Sequence, residues 1–414
     1  MRSIPLHSLV LIIGSNNTEK HQLVSEKFQS HEIIDIDQVK YQLVGHSVRS
    51  DIHHLALREV NHRAAIKLKL GERAVICSSN LDYKERTAAA DIGLKMGVPT
   101  FYVVKSSDTD FTESLFKHAE RDILHGDNFA NVIDTRIDDF TTVSKLPSDD
   151  LLHYIKQQGY KGLCVVPDVH GMLESLKQAV DWARARGLFL IFLGDILDYG
   201  PDSIDCVYLV YDLVMRGRAV LTIGNHERKI EKWLDQQQKL LYDPQALKGN
   251  AVLRLSEGNK VTTMAVDLMS RNERNKFESR FKALLAHSCN HWVLGNAMLF
   301  AHAAVEPEMF DITAPRLTGR LESRAMFGEI DEHNPQHEDG YPNRIYNWVD
   351  RVPEGKKVLV GHDIRSKVKP LVVRGSKGGI AYFMDTGSGK GGRLTTADII
   401  FRNDNLEVQN FTAH

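Results

Sequence analysis

Apolar and polar positions form blocks along this chain, and the blocks fall into two series. In the first series, short apolar runs that predict buried strands are separated by segments with helical spacing. The predicted strands are Leu9–Ile13, Glu32–Asp37, Ala74–Cys77 and Thr100–Val104, and the predicted helices are Lys20–Phe28, Ile52–Leu70 and Tyr83–Met96. This alternation predicts a parallel, doubly wound sheet.

The second series begins at Gly162 and again alternates strands with helices. Its predicted strands are Leu163–Val166, Leu188–Leu193, Val220–Ile223, Met298–Ala301, Val358–Val360 and Ile380–Met384. A charged, mostly helical region over about residues 241–292 is interpreted as an insertion. We therefore predict two α/β domains, residues 1–134 and 161–414, joined by a polar linker over 135–160.

Composition limits the classes of function that need to be considered. With 414 residues, 42% of them hydrophobic and 26% charged, the chain has enough apolar material for two cores. Its net charge of -2 provides no general basic field for nucleic acid or membranes. Four widely separated cysteines indicate reduced, buried thiols, and no apolar run approaches a membrane span. We expect a cytoplasmic protein without an export signal or anchor.

Polar blocks follow the strands of the second series. They are Asp168-Val-His170-Gly171, Gly194-Asp195-Ile-Leu-Asp198, Gly224-Asn225-His226-Glu227, His302, His362 and Asp385. Because the carboxyl ends of parallel strands meet at one crevice, these side chains are expected to converge. Carboxylate and amide oxygens mixed with imidazoles suit Mn, Fe, Zn or Ni better than Ca. The pattern predicts two divalent metal ions, with Mn as the first choice.

The residue types also suggest a division of roles. Asp195 is the natural bridge, with Asp168 and His170 on one ion and Asn225, His302 and His362 on the other. Two such ions would activate a shared water for attack on phosphorus and neutralise the growing charge on the phosphoryl oxygens. His226 would then donate a proton to the leaving oxygen, oriented by Asp198. A second histidine-rich run, His287-Ser-Cys289-Asn-His291, is interpreted as structural.

These blocks resemble the calcineurin-like metallophosphoesterases, and in particular the phosphatase module of bacterial polynucleotide kinase-phosphatases. Three runs carry the finer resemblance: GDILDYGPDS at 194–203, DGYPNRIYNWVD at 339–350 and DTGSGKGGRLTTADI at 385–399. The resemblance implies an α/β/β/α sandwich and adds Asp385 to the site as a supporting acid. It also implies a nucleotide or polynucleotide substrate.

One position departs from that family. After Asp198 the family usually has an arginine that binds the substrate phosphate, whereas this chain has Tyr199. A tyrosine donates one neutral hydrogen bond where arginine offers a charged fork, so substrate affinity should differ. Arg324 or Arg344 are candidates to replace the missing guanidinium.

The first series resembles the kinase module of the same proteins, with a degenerate phosphate-binding loop. The loop pattern G-x-x-x-x-G-K-[ST] is matched at Gly14 and Lys20, but Glu19 and His21 stand where glycine and a hydroxyl residue belong. Glu19 would repel a phosphate and His21 cannot replace a hydroxyl on magnesium. Asp37 is assigned the place of the acid that would activate an acceptor hydroxyl. We expect a P-loop kinase-like fold that has lost phosphoryl transfer.

The sequence thus favours a two-metal phosphohydrolase acting on a phosphomonoester or 2',3'-cyclic phosphate of nucleotides or of RNA or DNA ends. Hydrolysis of a dinucleoside polyphosphate or a cyclic-nucleotide signal is an alternative, because related phosphoesterases share the ligand blocks. A non-catalytic nucleic-acid-binding or scaffold protein is a third hypothesis, and residual kinase activity a fourth. Homo-oligomerisation stays open.

Overall fold

A computed structural model describes residues 2–45, 52–80, 82–105, 131–145, 151–243, 253–295, 297–312, 317–334, 336, 342–402 and 405–414. Three parts of the predicted features lie outside these residues: 146–150 of the linker, 244–252 of the insertion and 339–341 of the run before His362.

The α-helices span Asn17–Lys27, Ile36–Val44, His53–Lys69, Tyr83–Met96, Leu151–Gln157, Leu173–Arg186, Ser203–Met215, Asn225–Tyr242, Glu257–Asp267, Arg271–Ala286 and Gly319–Phe327. Short 3-10 helices span Ser30–Glu32, Pro307–Phe310 and Asn347–Arg351. The strands are β1 Arg2–Ile4, β2 Leu9–Ile13, β3 Ile33–Asp35, β4 Ala74–Cys77, β5 Thr100–Val104, β6 Val132–Asp134, β7 Phe140–Thr142, β8 Gly162–Val166, β9 Leu188–Phe192, β10 Ala219–Leu221, β11 His291–Leu294, β12 Met298–Ala301, β13 Glu329–Ile330, β14 Arg344–Ile345, β15 Lys357–Val360, β16 Leu371–Arg374, β17 Ile380–Phe383, β18 Thr395–Arg402 and β19 Asn405–Ala413.

The chain divides into two compact units. The first comprises Met1–Lys145, Met215–Gly217 and Met269–His287, and the second comprises Leu146–Val214, Arg218–Leu268 and Ser288–His414. The predicted insertion is therefore shared, because its helix Glu257–Asp267 belongs to the second unit and its helix Arg271–Ala286 to the first. The predicted domain boundaries stay a prediction.

The first unit is built on a five-stranded parallel sheet in the order β3-β4-β2-β5-β6. Its strands are short runs of apolar residues, buried on both sides because helices cover both faces. One face packs against Val60 and Ala64 of the helix His53–Lys69, and the other against Leu23 and Val24 of the helix Asn17–Lys27. The parallel sheet predicted for this half is confirmed.

The second unit contains two five-stranded sheets, ordered β10-β9-β8-β18-β19 and β11-β12-β15-β17-β16. Strands β8, β9 and β10 are parallel to one another, as are β12, β15 and β17. The sheets pack face to face through a core that includes Phe189, Trp292 and Phe300. Each such fully buried side chain contributes roughly 1.5–3 kcal/mol. The mixed α/β fold predicted for this half is confirmed.

None of the helices within the described ranges is both long enough and apolar enough to cross a lipid bilayer.

Candidate metal centre

The predicted donors lie where the parallel strands of the second unit end. Asp168, Asp195 and Asn225 follow β8, β9 and β10 of one sheet, and His302, His362 and Asp385 follow β12, β15 and β17 of the other. In both sheets these are the carboxyl ends, so two neighbouring edges supply one site. All these residues except Asn225 and His362 are buried.

Two groups of donor atoms share Asp195. In the first donor group, one atom each of His170, Asp195 and His226 lie within 4.8 Å of one another. Nδ1 of His170 donates to the carbonyl oxygen of Leu197 at 3.1 Å, so its Nε2 carries the free lone pair. That Nε2 lies 3.7 Å from Oδ2 of Asp168. Asp168, which the sequence assigns to the same ion as His170 and Asp195, therefore lies beside this donor group.

The second donor group consists of Asp195, His302 and His362, again within 4.8 Å. Nδ1 of His302 donates to the carbonyl oxygen of Leu193 at 2.8 Å, which turns Nε2 toward the site. Nε2 of His302 lies 2.9 Å from Oδ1 of Asn225, 3.0 Å from Nδ1 of His362 and 3.3 Å from Oδ2 of Asp195. The four donors predicted for the second ion are therefore together.

Buried polar atoms without a partner test whether these residues suit metal ions. Within the described ranges, Oδ2 of Asp168, Nε2 of His170 and Oδ2 of Asp385 are buried and make no hydrogen bond. A buried carboxylate oxygen or imidazole nitrogen left in this state costs about 1–3 kcal/mol or more. Divalent cations would satisfy these atoms, and the mixed oxygen and nitrogen donors suit first-row transition metals. The residues present fit a dinuclear centre.

Backbone geometry at the site is strained. His170, Asp195, Asp198, Tyr199 and His362 have φ between 50° and 78°, although none of them is glycine. Such conformations cost on the order of 1–3 kcal/mol each and concentrate at functional sites. Two glycines are required because candidate donors approach them closely. A Cβ on Gly224 would lie 2.2 Å from Oδ1 of Asp195, and one on Gly361 would lie 2.1 Å from Oδ1 of Asp168.

Asp198 connects His226 to the helix Glu257–Asp267. Oδ2 of Asp198 lies 2.5 Å from Nδ1 of His226, so Nδ1 donates and Nε2 faces the donors, 3.8 Å from Oδ2 of Asp195. The side chains of Asn259 and Thr262 donate to the two oxygens of Asp198. The carboxylate is thus held on three sides, and it fixes the ring of His226.

Glu227 is a further buried acid at the site. Its two carboxylate oxygens accept hydrogen bonds from the backbone N–H groups of Asp195, Ile196 and Gly224 at 2.7–2.9 Å. Burial, followed by the charge of Asp195, raises the pKa of Glu227 to about 7. Glu227 therefore fixes the backbone that carries the shared carboxylate.

The charged groups of the site shift one another's pKa values strongly. Burial, and then the neighbouring carboxylate of Asp385, raise the pKa of Asp168 well above its ordinary range. Although burial alone would lower it, the pKa of His302 is raised to about 10, chiefly by the carboxylate of Asp195. A divalent cation bound here would replace that proton and reduce the repulsion between the two acids.

The three residues predicted to bind substrate are placed differently. The ring of Tyr199 packs edge-on against His170, with ring centroids 4.8 Å apart. Arg344 pairs with Asp363 at 3.2 Å, next to the donor His362. Arg324 instead pairs with Glu306 at 3.1 Å and Glu329 at 3.3 Å. Both arginines are therefore engaged in ion pairs, but only Arg344 lies next to a candidate metal donor, which makes it the better-placed candidate.

The predicted kinase remnant lies in the first unit. A Cβ on Gly14 would lie 2.1 Å from the carbonyl oxygen of Lys105, and Lys20 is buried with Nζ donating to Ser78 O at 3.0 Å. Asp37 is not at a strand end, because β3 stops at Asp35 and Asp37 is exposed on the following helix. The physical reason is that Oδ1 of Asp35 accepts from the N–H groups of Asp37 and Gln38, and so starts that helix.

Sequence reasoning gave no role to Glu227, Asn259, Thr262 and Lys390. The first and last stand in blocks that it quoted, Gly-Asn-His-Glu and GSGKGG, and these blocks were the available signal. Asn259 and Thr262 lie on the insertion, where helical periodicity alone marks no function. Only the fold brings them to Asp198.

Comparison with known proteins identifies the second unit. The model of the calcineurin-like phosphoesterase family matches residues 163–374, just over half of the chain. The chain belongs to the calcineurin-like phosphoesterase family. Such phosphoesterases use a dinuclear centre of divalent metal ions, so this phosphoesterase is a metal-dependent phosphatase or phosphodiesterase.

Two named relatives are bacterial. This phosphoesterase is 26% identical over 177 residues to the asymmetrical bis(5'-nucleosyl)-tetraphosphatase PrpE of Oceanobacillus iheyensis, a match that covers 40% of this chain and 64% of that protein. It is 24% identical over 244 residues to the protein of the same name from Halalkalibacterium halodurans, and that match covers 56% of this chain and 87% of that protein. A solved metallophosphoesterase from Sphaerobacter thermophilus aligns with a TM-score of 0.34 and 17% identity over 61% of this chain and 88% of that one.

The family match covers residues 163–374 and leaves residues 1–162 outside it. The resemblance to polynucleotide kinase-phosphatases and the P-loop kinase-like identity of the first unit stay predictions, as does the choice of manganese.

Proposed function

We propose that this phosphoesterase hydrolyses phosphate bonds of nucleotides that carry several phosphates, with a dinucleoside polyphosphate as the first candidate. The observation that carries the hydrolytic part is the pair of donor groups sharing Asp195. The choice of substrate is supported by the bis(5'-nucleosyl)-tetraphosphatase relatives.

The proposed chemistry divides between metal ions and side chains. When bound, two divalent ions would activate water for attack on phosphorus and neutralise charge on the phosphoryl oxygens. Nε2 of His226 would donate a proton to the leaving oxygen. Burial opposes protonation of His226, yet the carboxylates of Asp195 and Asp198 together raise its pKa above the ordinary value. The protonated form that an acid catalyst requires is thereby favoured.

A second candidate is the healing of RNA or DNA ends, that is, removal of a 3'-phosphate or opening of a 2',3'-cyclic phosphate. It is supported by the five-stranded parallel sheet of the first unit, which has Lys20 buried beside the end of β4. The runs around Asp385 and before His362 also favour it by resemblance. In this reading the first unit would recognise the polynucleotide.

One substrate panel tests both candidates. The protein would be supplied with Mn, and in parallel with Ni, Fe or Zn, and offered three substrates: diadenosine tetraphosphate, RNA with a 2',3'-cyclic or 3'-phosphate end, and bis(4-nitrophenyl) phosphate. Formation of ATP and AMP from diadenosine tetraphosphate supports the first candidate, and product from RNA ends alone supports the second. Turnover of bis(4-nitrophenyl) phosphate without either product contradicts both candidates. If none of the three substrates is hydrolysed, the scaffold hypothesis is favoured.

A further inference from the structure

Lys390 holds a positive charge beside the metal centre. Its Nζ lies 4.6 Å from the centroid of the Tyr199 ring, a distance typical of a cation–π contact. The same ring packs edge-on against His170 and lies 5.5 Å, centroid to centroid, from His226. One aromatic ring therefore separates the ammonium from a predicted metal ligand and from the predicted acid.

The loop that carries Lys390 is fixed in this place. The N–H of Lys390 donates to the carbonyl oxygen of Gly387 at 2.9 Å, and Nζ of Lys367 donates to the carbonyl oxygen of Lys390 at 2.7 Å. Gly389 lies directly on the site, because a Cβ there would be 2.8 Å from Cβ of His170. The backbone of this loop is thus anchored beside the site.

The charge of Lys390 acts on the donors of the site. Burial lowers the pKa of His170, and the ammonium of Lys390 is the next largest cause of that lowering. Among the described residues, no carboxylate oxygen comes close enough to Nζ of Lys390 to form an ion pair. The side-chain nitrogen of Lys390 therefore lies beside the metal donors without a carboxylate partner among the described residues.

We propose that Lys390 is a positioning residue that binds a phosphate of the substrate adjacent to the phosphate that reacts, and so selects polyphosphate chains over single phosphates. This inference rests on the proposed function. Metal ions would neutralise the reacting phosphate, whereas the further charges of a polyphosphate chain need a cation beside the centre. An ammonium on a flexible stem suits this task, because it can leave the ring of Tyr199 and follow a phosphate.

The test is binding, measured by calorimetry on the metal-loaded full chain, with inorganic tripolyphosphate and orthophosphate as probes. Lys390→Met removes the charge and nearly keeps the length of the side chain, and Lys390→Arg keeps the charge. We expect Lys390→Met to weaken tripolyphosphate about tenfold and orthophosphate less than about threefold, and Lys390→Arg to stay within about threefold of wild type. Lys377→Met, which removes an exposed lysine elsewhere in the same unit, serves as the matched control and should change neither affinity.

Equal weakening of both probes by Lys390→Met would show a general structural effect and overturn the proposal. So would an unchanged affinity for tripolyphosphate, or an equal loss in Lys377→Met. Failure of the proposed function looks different: wild type would then form no ATP and AMP from diadenosine tetraphosphate while tripolyphosphate binding still depended on Lys390.

Discussion

Asn259 donates a hydrogen bond from its side-chain amide to Oδ2 of Asp198, the same oxygen that accepts from Nδ1 of His226. The two residues come from distant parts of the second unit, since Asn259 lies in the helix Glu257–Asp267 and Asp198 in the loop after β9. The helix that the sequence presented as an insertion therefore helps to hold the predicted acid catalyst.

The first prediction concerns this support of Asp198. Thr262→Val is close to isosteric but removes the hydroxyl that donates to Oδ1 of Asp198. We expect kcat to fall by about tenfold, the lower limit for loss of an outer-shell partner, because His226 is then less well oriented. The measurement is steady-state hydrolysis of bis(4-nitrophenyl) phosphate.

Thr263→Val is the matched control, since Oγ1 of Thr263 donates to the carbonyl oxygen of Lys260 and not to the site. If both variants lost activity equally, the effect would come from the helix and not from Asp198.

The second prediction concerns the shared carboxylate. Asp195→Asn removes the charge that both donor groups use. Because loss of an outer-shell partner already costs 10- to 100-fold at such sites, we expect activity to fall by more than about 100-fold. Bound metal, measured by elemental analysis after gel filtration, should fall below about two ions per chain.

Asp205→Asn provides the comparison for Asp195→Asn, because Asp205 is an exposed carboxylate on the helix Ser203–Met215 of the same unit. Full metal content and activity in Asp195→Asn would be incompatible with the proposed site.

The third prediction concerns stability around Glu227. The two carboxylate oxygens of Glu227 accept from three backbone N–H groups. Glutamine offers only one acceptor oxygen, and its NH2 group would face at least one of these N–H donors without being able to accept from it. We expect Glu227→Gln to lower the free energy of unfolding by on the order of 3 kcal/mol. Urea denaturation of the metal-free protein measures the change.

Glu231→Gln on the same helix removes a partly exposed ion pair with Arg228 and should cost less than about 1 kcal/mol. A similar loss of stability in the two variants would contradict the role assigned to Glu227.

The fourth prediction concerns pH and two histidines of the first unit. Burial lowers the pKa of His7 to about 3 and that of His287 to about 4, against the raising effect of hydrogen bonds to the carbonyl oxygens of Leu68 and Gly71. In the unfolded chain both would titrate near 6.5. Between these values the unfolded state binds more protons, so the free energy of unfolding falls as the pH falls below about 6.5.

Each histidine should contribute a slope of up to about 1.4 kcal/mol per pH unit in that window. Urea denaturation at several pH values between about 7 and 4.5 measures it, and His7→Gln should reduce the slope by about one such contribution. His31→Gln, at an exposed position, should leave the slope unchanged. An undiminished slope in His7→Gln would show that His7 does not remain neutral in the fold.

Continuous apolar runs in the sequence predict the central parallel strands, and the polar residues after these runs are the candidate donors. Strands β2, β4, β5 and β12 were predicted to the residue, because each is a continuous apolar run buried on both sides of its sheet. The donors could be found for a related reason: a polar residue directly after such a run must lie at the strand's carboxyl end. The C-terminal pair β18 and β19 was missed, because its mixture of apolar and polar residues gives no such continuous run.

The pairing of side chains from distant segments depends on the fold. Arg324, a predicted phosphate ligand, is taken up by Glu306 and Glu329, whereas Asn259 and Thr262, which no pattern marked, bind Asp198. Lys390 acquires its place over Tyr199 from a glycine-rich loop pressed against His170. Periodicity records which face of a segment is buried, but it carries no information about which distant segment lies opposite. For that reason the candidate donors at the strand ends follow from the sequence, whereas Glu227, Asn259, Thr262 and Lys390, which lie around them, do not.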